Sequence, residues 1–171
     1  MESKVEFIIK EITEEDRCWV NKVITEFWGE AFVVVHQEVF FPENLPGFIA
    51  NRREGKAVGL VTFQIRGDEC EIITLNSWLE NVGVGSGLIK AVIDQAQRSS
   101  CSRVCVTTTN DNLRAIEFYA KREFRLLEIR EDAVARAREI KTSIPQLAAD
   151  GTPISDEWEF ELILSETDKS G

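Results

Sequence analysis

The chain has 171 residues, 19.4 kDa, with 43% hydrophobic and 29% charged residues; that is the size and balance of one globular domain, read over 1–171, with core enough to need no disulfide or metal. Twenty Lys and Arg face thirty Asp and Glu, a net charge of −10, which argues against nucleic acid and anionic membranes as partners and favours cationic substrates. No apolar run approaches the roughly 18 residues of a membrane span, and the start Met1-Glu2-Ser3-Lys4 lacks a signal-peptide layout, so a cytoplasmic location is expected.

In chain order, Val5 to Ile12 alternates as a strand. Thr13-Glu14-Glu15-Asp16 reads as a helix N-cap with acids in the first turn. A helix follows through Trp19, Val20, Val23, Ile24 and Phe27, and Gly29 closes it. Ala31 to His36 is β-branched and extended, and Pro42 to Gly47 is a loop. Phe48–Arg53, Ala57–Arg66 and Cys70–Trp78 read as three strands joined by short Gly-containing turns, hence an antiparallel meander.

The period changes at Val84. Val84, Leu88, Ile89, Val92, Ile93 and Ala96 recur at helical spacing. Val104 to Thr109 is a short buried strand, and Asn112 caps a helix carrying Ala115, Ile116, Phe118 and Tyr119. A strand from Arg125 to Ile129 and a helix from Ala133 to Ile140 follow. Pro145 breaks the pattern and Asp150-Gly151-Thr152-Pro153 forms a turn. Trp158, Phe160 and Leu162 alternate with Glu157, Glu159 and Glu161, a last strand whose acidic side is expected in solvent. The tail from Ser165 is expected to fray. The fold class is α+β: a mixed, mostly antiparallel central sheet flanked by helices.

Chemistry narrows by elimination. The single histidine, His36, rules out multi-His zinc and 2-His-1-carboxylate iron sites, and no metal is expected. No Gly-x-Ser-x-Gly elbow exists. Cys18, Cys70, Cys101 and Cys105 form no Cys-x-x-Cys pair and read as free buried thiols. From Val84 to Arg125 the chain is net +3 (Lys90, Arg98, Arg103, Arg114, Lys121, Arg122 and Arg125 against four acids), leaving −13 elsewhere. A cationic zone in an acidic chain suits a small anion, although spacing alone does not exclude chance.

Gly83-Val84-Gly85-Ser86-Gly87 lies between a strand and that helix. Glycines let backbone N–H groups approach an anion, and the helix N-terminus adds roughly half a positive charge. The loop is neither a Walker motif nor Gly-x-Gly-x-x-Gly, since Leu88 stands where the last glycine belongs. A loop that only lets helix and sheet pack is the plain alternative.

The Gly-x-Gly loop and its helix, a strand ending in Thr, and Asn112-x-x-Ala115-x-x-Phe118-Tyr119 together resemble the GNAT superfamily of acetyl-CoA-dependent N-acetyltransferases. The sharp likeness spans about residues 71–124. Thr74 to Ser77, Thr108 to Asn112 and the late Asp-Gly-Thr-Pro-Ile-Ser-Asp-Glu resemble a little-characterised bacterial branch of it. The resemblance implies a sheet splayed between its fourth and fifth strands. It implies coenzyme contacts at Leu75, Asn76, Ser77, Gly83, Val84, Gly85, Ser86, Gly87, Asn112 and Tyr119, with the arm along Leu75–Ser77, where a free N–H could stabilise an oxyanion.

Tyr119 is the implied general acid toward the departing thiolate, and Glu71 the implied base. The implied activity is direct acetyl transfer to a primary amine of a small molecule; the alternative is a non-catalytic coenzyme-A-binding or sensory module. Two positions depart from the family pattern: Glu80, where Gln or Arg is usual, is expected to point away from the pyrophosphate, and Glu123 replaces a Gly before Phe124. Trp28 and Trp78 are candidate pocket walls, Trp28 more simply a core residue. An open sheet edge makes a homodimer plausible.

Overall fold

The computed structural model describes residues 6–165. The expected strand start at Val5 and all but the first residue of the expected frayed tail lie outside that range. Nine strands and four helices are described: β1 (Phe7–Glu11), α1 (Arg17–Trp28), β2 (Val33–Val35), β3 (Glu38–Phe40), β4 (Gly47–Arg52), β5 (Ala57–Arg66), β6 (Glu69–Ser77), α2 (Val84–Arg98), β7 (Arg103–Thr109), α3 (Leu113–Lys121), β8 (Arg125–Arg130), α4 (Ala133–Ile140) and β9 (Glu157–Ile163). Seven strands form one sheet in the order β1-β4-β5-β6-β7-β9-β8, and β2-β3 form a separate hairpin. Within the large sheet every neighbouring pair is antiparallel except β6 and β7.

Helix α1 starts later than its acidic signal suggested. Thr13 and Asp16 exchange the capping hydrogen bonds, Thr13 N to Asp16 Oδ2 at 2.8 Å, around a short 3₁₀ turn, and the α-helix begins at Arg17. Gly29, at φ +82°, closes it with a bond to the Thr25 carbonyl, a conformation costly for any residue with a Cβ. Val20, Val23 and Ile24 bury its apolar face against Ile49, Leu60 and Ile73 on one side of the sheet.

On the other side, Val84, Leu88, Ile89 and Val92 of α2 pack with Val58, Val61, Ile72 and Val104. The sheet is therefore filled on both faces, and the strand alternation of β5 and β6 divides their side chains between the two cores. The hairpin β2-β3 is absent from the sequence expectation. Its turn, His36-Gln37, runs at φ +51° and +66° without a glycine, so the usual Asn-Gly signal was missing.

The feature that positions the site is a parting of strands. β6 and β7 pair only from Glu69↔Arg103 to Ile72↔Val106. Beyond that, β6 keeps β5 as partner through Ser77↔Gly59, while β7 keeps β9 through Thr109↔Glu157. These are the fourth and fifth strands of the sheet order, so the expected splay is present.

Candidate active site

The parting leaves a cavity of about 610 Å³ between the end of β6, the first turn of α2 and helix α3. Leu75 and Ser77 line it; Asn76, on the opposite strand face, does not. Gly83 caps α2 at φ +85°, and it lines the cavity with Val84, Gly85 and Ser86 of the first turn, whose amides a helix leaves without internal partners. Gly85 and Gly87 have a packing cause as well. A Cβ on Gly85 would stand 2.9 Å from the Phe118 ring, and one on Gly87 would stand 3.0 Å from Ile9. These glycines therefore have a close-packing cause whether or not the loop cradles an anion.

Helix α3 forms the opposite wall. Asn112 caps it by accepting a bond from Ala115 N at 3.1 Å and also lines the cavity. Arg114, Lys121 and Arg122 of the cationic zone reach the same cavity. Arg122 donates from Nε and Nη2 to Ser86 Oγ at 3.0 and 2.6 Å, and its guanidinium lies 3.4 Å over the Phe118 ring, an attraction of cation and π face. Glu80 also lines the cavity rather than pointing away from it, but Arg114 pairs with its carboxylate. The repulsion expected from an acid at this rim is offset by that partner.

Tyr119 is buried, with its ring against Phe118, Phe124 and Phe160 at centroid distances of 5.4, 5.6 and 6.2 Å, and it borders the cavity. It is thus a core aromatic and a cavity residue at once. Burial pushes the phenol's pKa up, with Arg122 opposing weakly. Glu123 takes φ +68°, the left-handed turn for which glycine is the usual choice.

A second cavity, about 420 Å³, meets the first at Asn112, which lines both. Its walls come from α1, β2, α4 and the segment after α4. Trp28 borders it and is 43% exposed, so this tryptophan is a wall and not the core residue expected. Trp78 packs instead on Trp19 and Phe27.

Glu71 reaches neither of these cavities. It lines a third, polar one of about 350 Å³, together with His36, Arg66, Arg103 and Glu159. His36 separates it from the second cavity. The His36 Nε2 is 3.4 Å from Glu71 Oε2 and 2.9 Å from Thr107 Oγ1, and its Nδ1 is 3.2 Å from Glu157 Oε2. Burial disfavours the charged imidazole, but the carboxylates of Glu157 and Glu71 outweigh that and push its pKa up to about 9.

The acidic stripe of β9 is not solvated as expected: Glu157, Glu159 and Glu161 are each 4% exposed. Arg103 and Arg125 bind Glu161, and Arg130 binds Glu159. Ion pairing holds the Glu161 carboxyl below its usual range. Glu69, Glu71, Cys105 and Glu159 bring ligand atoms within 4.8 Å of one another, yet Arg103 is bonded to Glu69, Arg130 to Glu159, and the Cys105 thiol donates to Glu69. The cysteines are free; Cys70, Cys101 and Cys105 are buried, and Cys18 is exposed, against expectation.

A glycine-headed helix N-terminus, with Arg114, Lys121 and Arg122 beside it, thus stands at the parting of the sheet, and Asn112 lines both its cavity and the second one. Comparison with known proteins gives the family. Residues 10–124 match the acetyltransferase (GNAT) family, and the chain belongs to it. It is 36% identical over 146 residues to the uncharacterised protein YdhI of Bacillus subtilis, covering 83% of this chain and 91% of that one.

Among solved structures the fold is similar to the IAA acetyltransferase of Bacillus cereus (TM-score 0.68, 17% identity, 93% of this chain and 100% of that one). It is likewise similar to a Bacillus subtilis acetyltransferase in complex with CoA (TM-score 0.65, 18% identity, 95% and 100%). No described helix is long and apolar enough to cross a membrane.

Proposed function

We propose that the chain is an N-acetyltransferase that moves the acetyl group of acetyl-CoA directly onto a primary amine of a small molecule. The observation that carries this reading is the meeting of the α2 N-terminus, with Arg114, Lys121 and Arg122 beside it, and the strand edge at Leu75 to Ser77 that β7 leaves free. The residues fit the donor. The amides of Val84 to Ser86 and the three cations suit a pyrophosphate. An unpaired strand edge suits the amide-bearing arm, which can bond to it as an added strand does. The Bacillus subtilis structure with CoA has the same fold.

Transfer from a thioester to an amine requires the amine to lose a proton and the thiolate to gain one. Tyr119 serves as the acid: it borders the cavity, and a phenol, protonated at neutral pH, can give its hydrogen to a thiolate, although burial makes this one a weaker acid than a free phenol. Glu71 was the base implied by the resemblance. In this geometry it lies behind His36 and reaches the acceptor side only through an intermediate group.

The test uses purified protein, isothermal calorimetry with acetyl-CoA and a thiol-release assay with an amine panel. Acetyl-CoA should bind, and Tyr119→Phe should lower kcat by roughly 10²-fold, within the span for loss of one proton-transfer group, with acetyl-CoA affinity retained. A Tyr119→Phe enzyme with unchanged kcat removes the tyrosine from the chemistry. Absence of acetyl-CoA binding removes the whole reading.

A further inference from the structure

The two cavities that meet at Asn112 differ in chemistry. The acceptor-side cavity is mostly apolar, walled by Phe27, Trp28, Val34, Ala137, Ile144 and Ile154. At about 420 Å³ it falls within the roughly 300 to 1,000 Å³ of small-molecule sites. Glu157 is its only acid, and it is 4% exposed. The Glu157 Oε2 has no hydrogen-bond partner; His36 Nδ1 stands at ion-pair distance, 3.2 Å, without the alignment of a bond.

One imidazolium thus faces two carboxylates, Nδ1 toward Glu157 and Nε2 toward Glu71, and its single positive charge is shared between them. A buried carboxylate left short of a cation calls for one. The cavity's cation, Lys141, does not supply it: its Nζ donates to the Phe32 carbonyl at 2.9 Å and lies near the Phe32 ring. Thr107, also in the wall, is engaged with His36.

We propose that this cavity takes a primary monoamine carried on an apolar body of one or two rings, and that Glu157 receives its amino group. The proposal rests on the acetyltransferase reading and names its acceptor class. A polyamine would bring a second cation against apolar walls and Lys141. An amino acid would bring a carboxylate toward Glu157. A peptide N-terminus would bury backbone amides with few partners. An apolar monoamine avoids all three costs.

Glu157 first binds the ammonium and then takes one of its protons. The nitrogen forms its bond to the acetyl carbon, the thioester C–S bond breaks, and the thiolate takes a proton from Tyr119. As the amide forms, the nitrogen sheds its second proton, which passes through solvent to the Tyr119 phenolate, and Glu157 releases the first to solvent. Glu157 is therefore the catalytic carboxylate of the acceptor side, placed by β9, where the resemblance pointed to Glu71.

The 171-residue chain is assayed for thiol release from acetyl-CoA with 2-phenylethylamine and benzylamine against spermidine, L-lysine and a short peptide with a free N-terminus. The two apolar amines should show kcat/KM at least 10²-fold above the others. Equal or faster turnover of spermidine, lysine or the peptide overturns the proposal. Glu157→Gln should lose at least 10²-fold in kcat/KM for 2-phenylethylamine while keeping its thermal shift with CoA; an unchanged rate overturns it.

If Glu157→Gln does not fold, Trp28→Ala, at a half-exposed wall position, should raise KM for 2-phenylethylamine about tenfold and leave KM for acetyl-CoA alone; an unchanged amine KM overturns the proposal. Should no amine turn over, 2-phenylethylamine must still raise the melting temperature of CoA-saturated protein, and no rise overturns it. No shift with CoA itself counts instead against the acetyltransferase reading.

Discussion

His36 shows how a side chain without a motif becomes a hub. It sits at the tip of the β2-β3 hairpin in a left-handed conformation and meets Glu71, Thr107 and Glu157 from three strands. Its pKa rises from 6.5 to about 9 on folding, with Arg130 opposing from nearby. A raised pKa stabilises the fold fully below pH 6.5, and that contribution fades as pH rises through 9. About a quarter of the side chain is exposed, 24%, so the discounted contribution is on the order of 2 kcal/mol. Urea midpoints of the wild type should fall between pH 6.5 and 9.5 more than those of His36→Gln. Parallel curves would show that the imidazole carries no stabilising charge. Glu123, at φ +68°, predicts the opposite kind of effect: Glu123→Gly should raise stability by about 0.5 to 1 kcal/mol, since relief of left-handed strain exceeds the entropy glycine adds. A lower melting temperature would contradict this.

At the scale of elements, the contact between α2 and α3 joins packing to binding. The Phe118 ring lies against Gly85 on one side and carries the Arg122 guanidinium on its face, and Arg122 in turn holds Ser86. Gly85→Ala would press a methyl onto that ring at 2.9 Å. The expected cost is about 1 to 2 kcal/mol of stability, the usual range for overpacking, together with weaker acetyl-CoA binding as Arg122 shifts. Calorimetry on a variant that remains folded checks the second part, and unchanged affinity would separate this contact from the donor site. Much of this scale was legible in sequence. The strand Ala57–Arg66, the helix start at Val84 and the Asn112 cap agree with the structure, because period, turn glycines and capping residues act locally. The β2-β3 hairpin was not legible, because its turn residues, His and Gln, carry no turn preference and the hairpin tip is held by contacts to β7 and α4, distant in the chain.

Across the whole molecule the charge is divided. A net −13 surrounds a segment of net +3, and Arg114, Lys121 and Arg122 of that segment gather at the cavity between β6, α2 and α3. Cations drawn together in an acidic molecule should make acetyl-CoA binding salt-sensitive. KM for acetyl-CoA should rise several-fold between 50 and 500 mM KCl, as the Debye length falls from roughly 14 to 4 Å. A flat response would assign the affinity to the backbone amides and the strand edge alone. The acids have a second role in the interior. Glu161, held low by Arg103 and Arg125, contributes stability that is present above its unfolded pKa near 4.5 and lost as pH falls through the folded value.

The sequence by itself determined the order and type of most elements, the family likeness and the glycine loop that opens α2, for these rest on residues close together in the chain. Only the tertiary structure decided which carboxylate lines the apolar cavity. Glu71 and Glu157 are 86 positions apart along the chain, yet one imidazole touches both and parts the cavities they line. The parting of β6 from β7, the burial of the β9 acids and the reach of the hairpin tip come from pairing between distant strands. No local period or spacing encodes such pairing, because the side chains that meet there are brought together only when the sheet closes.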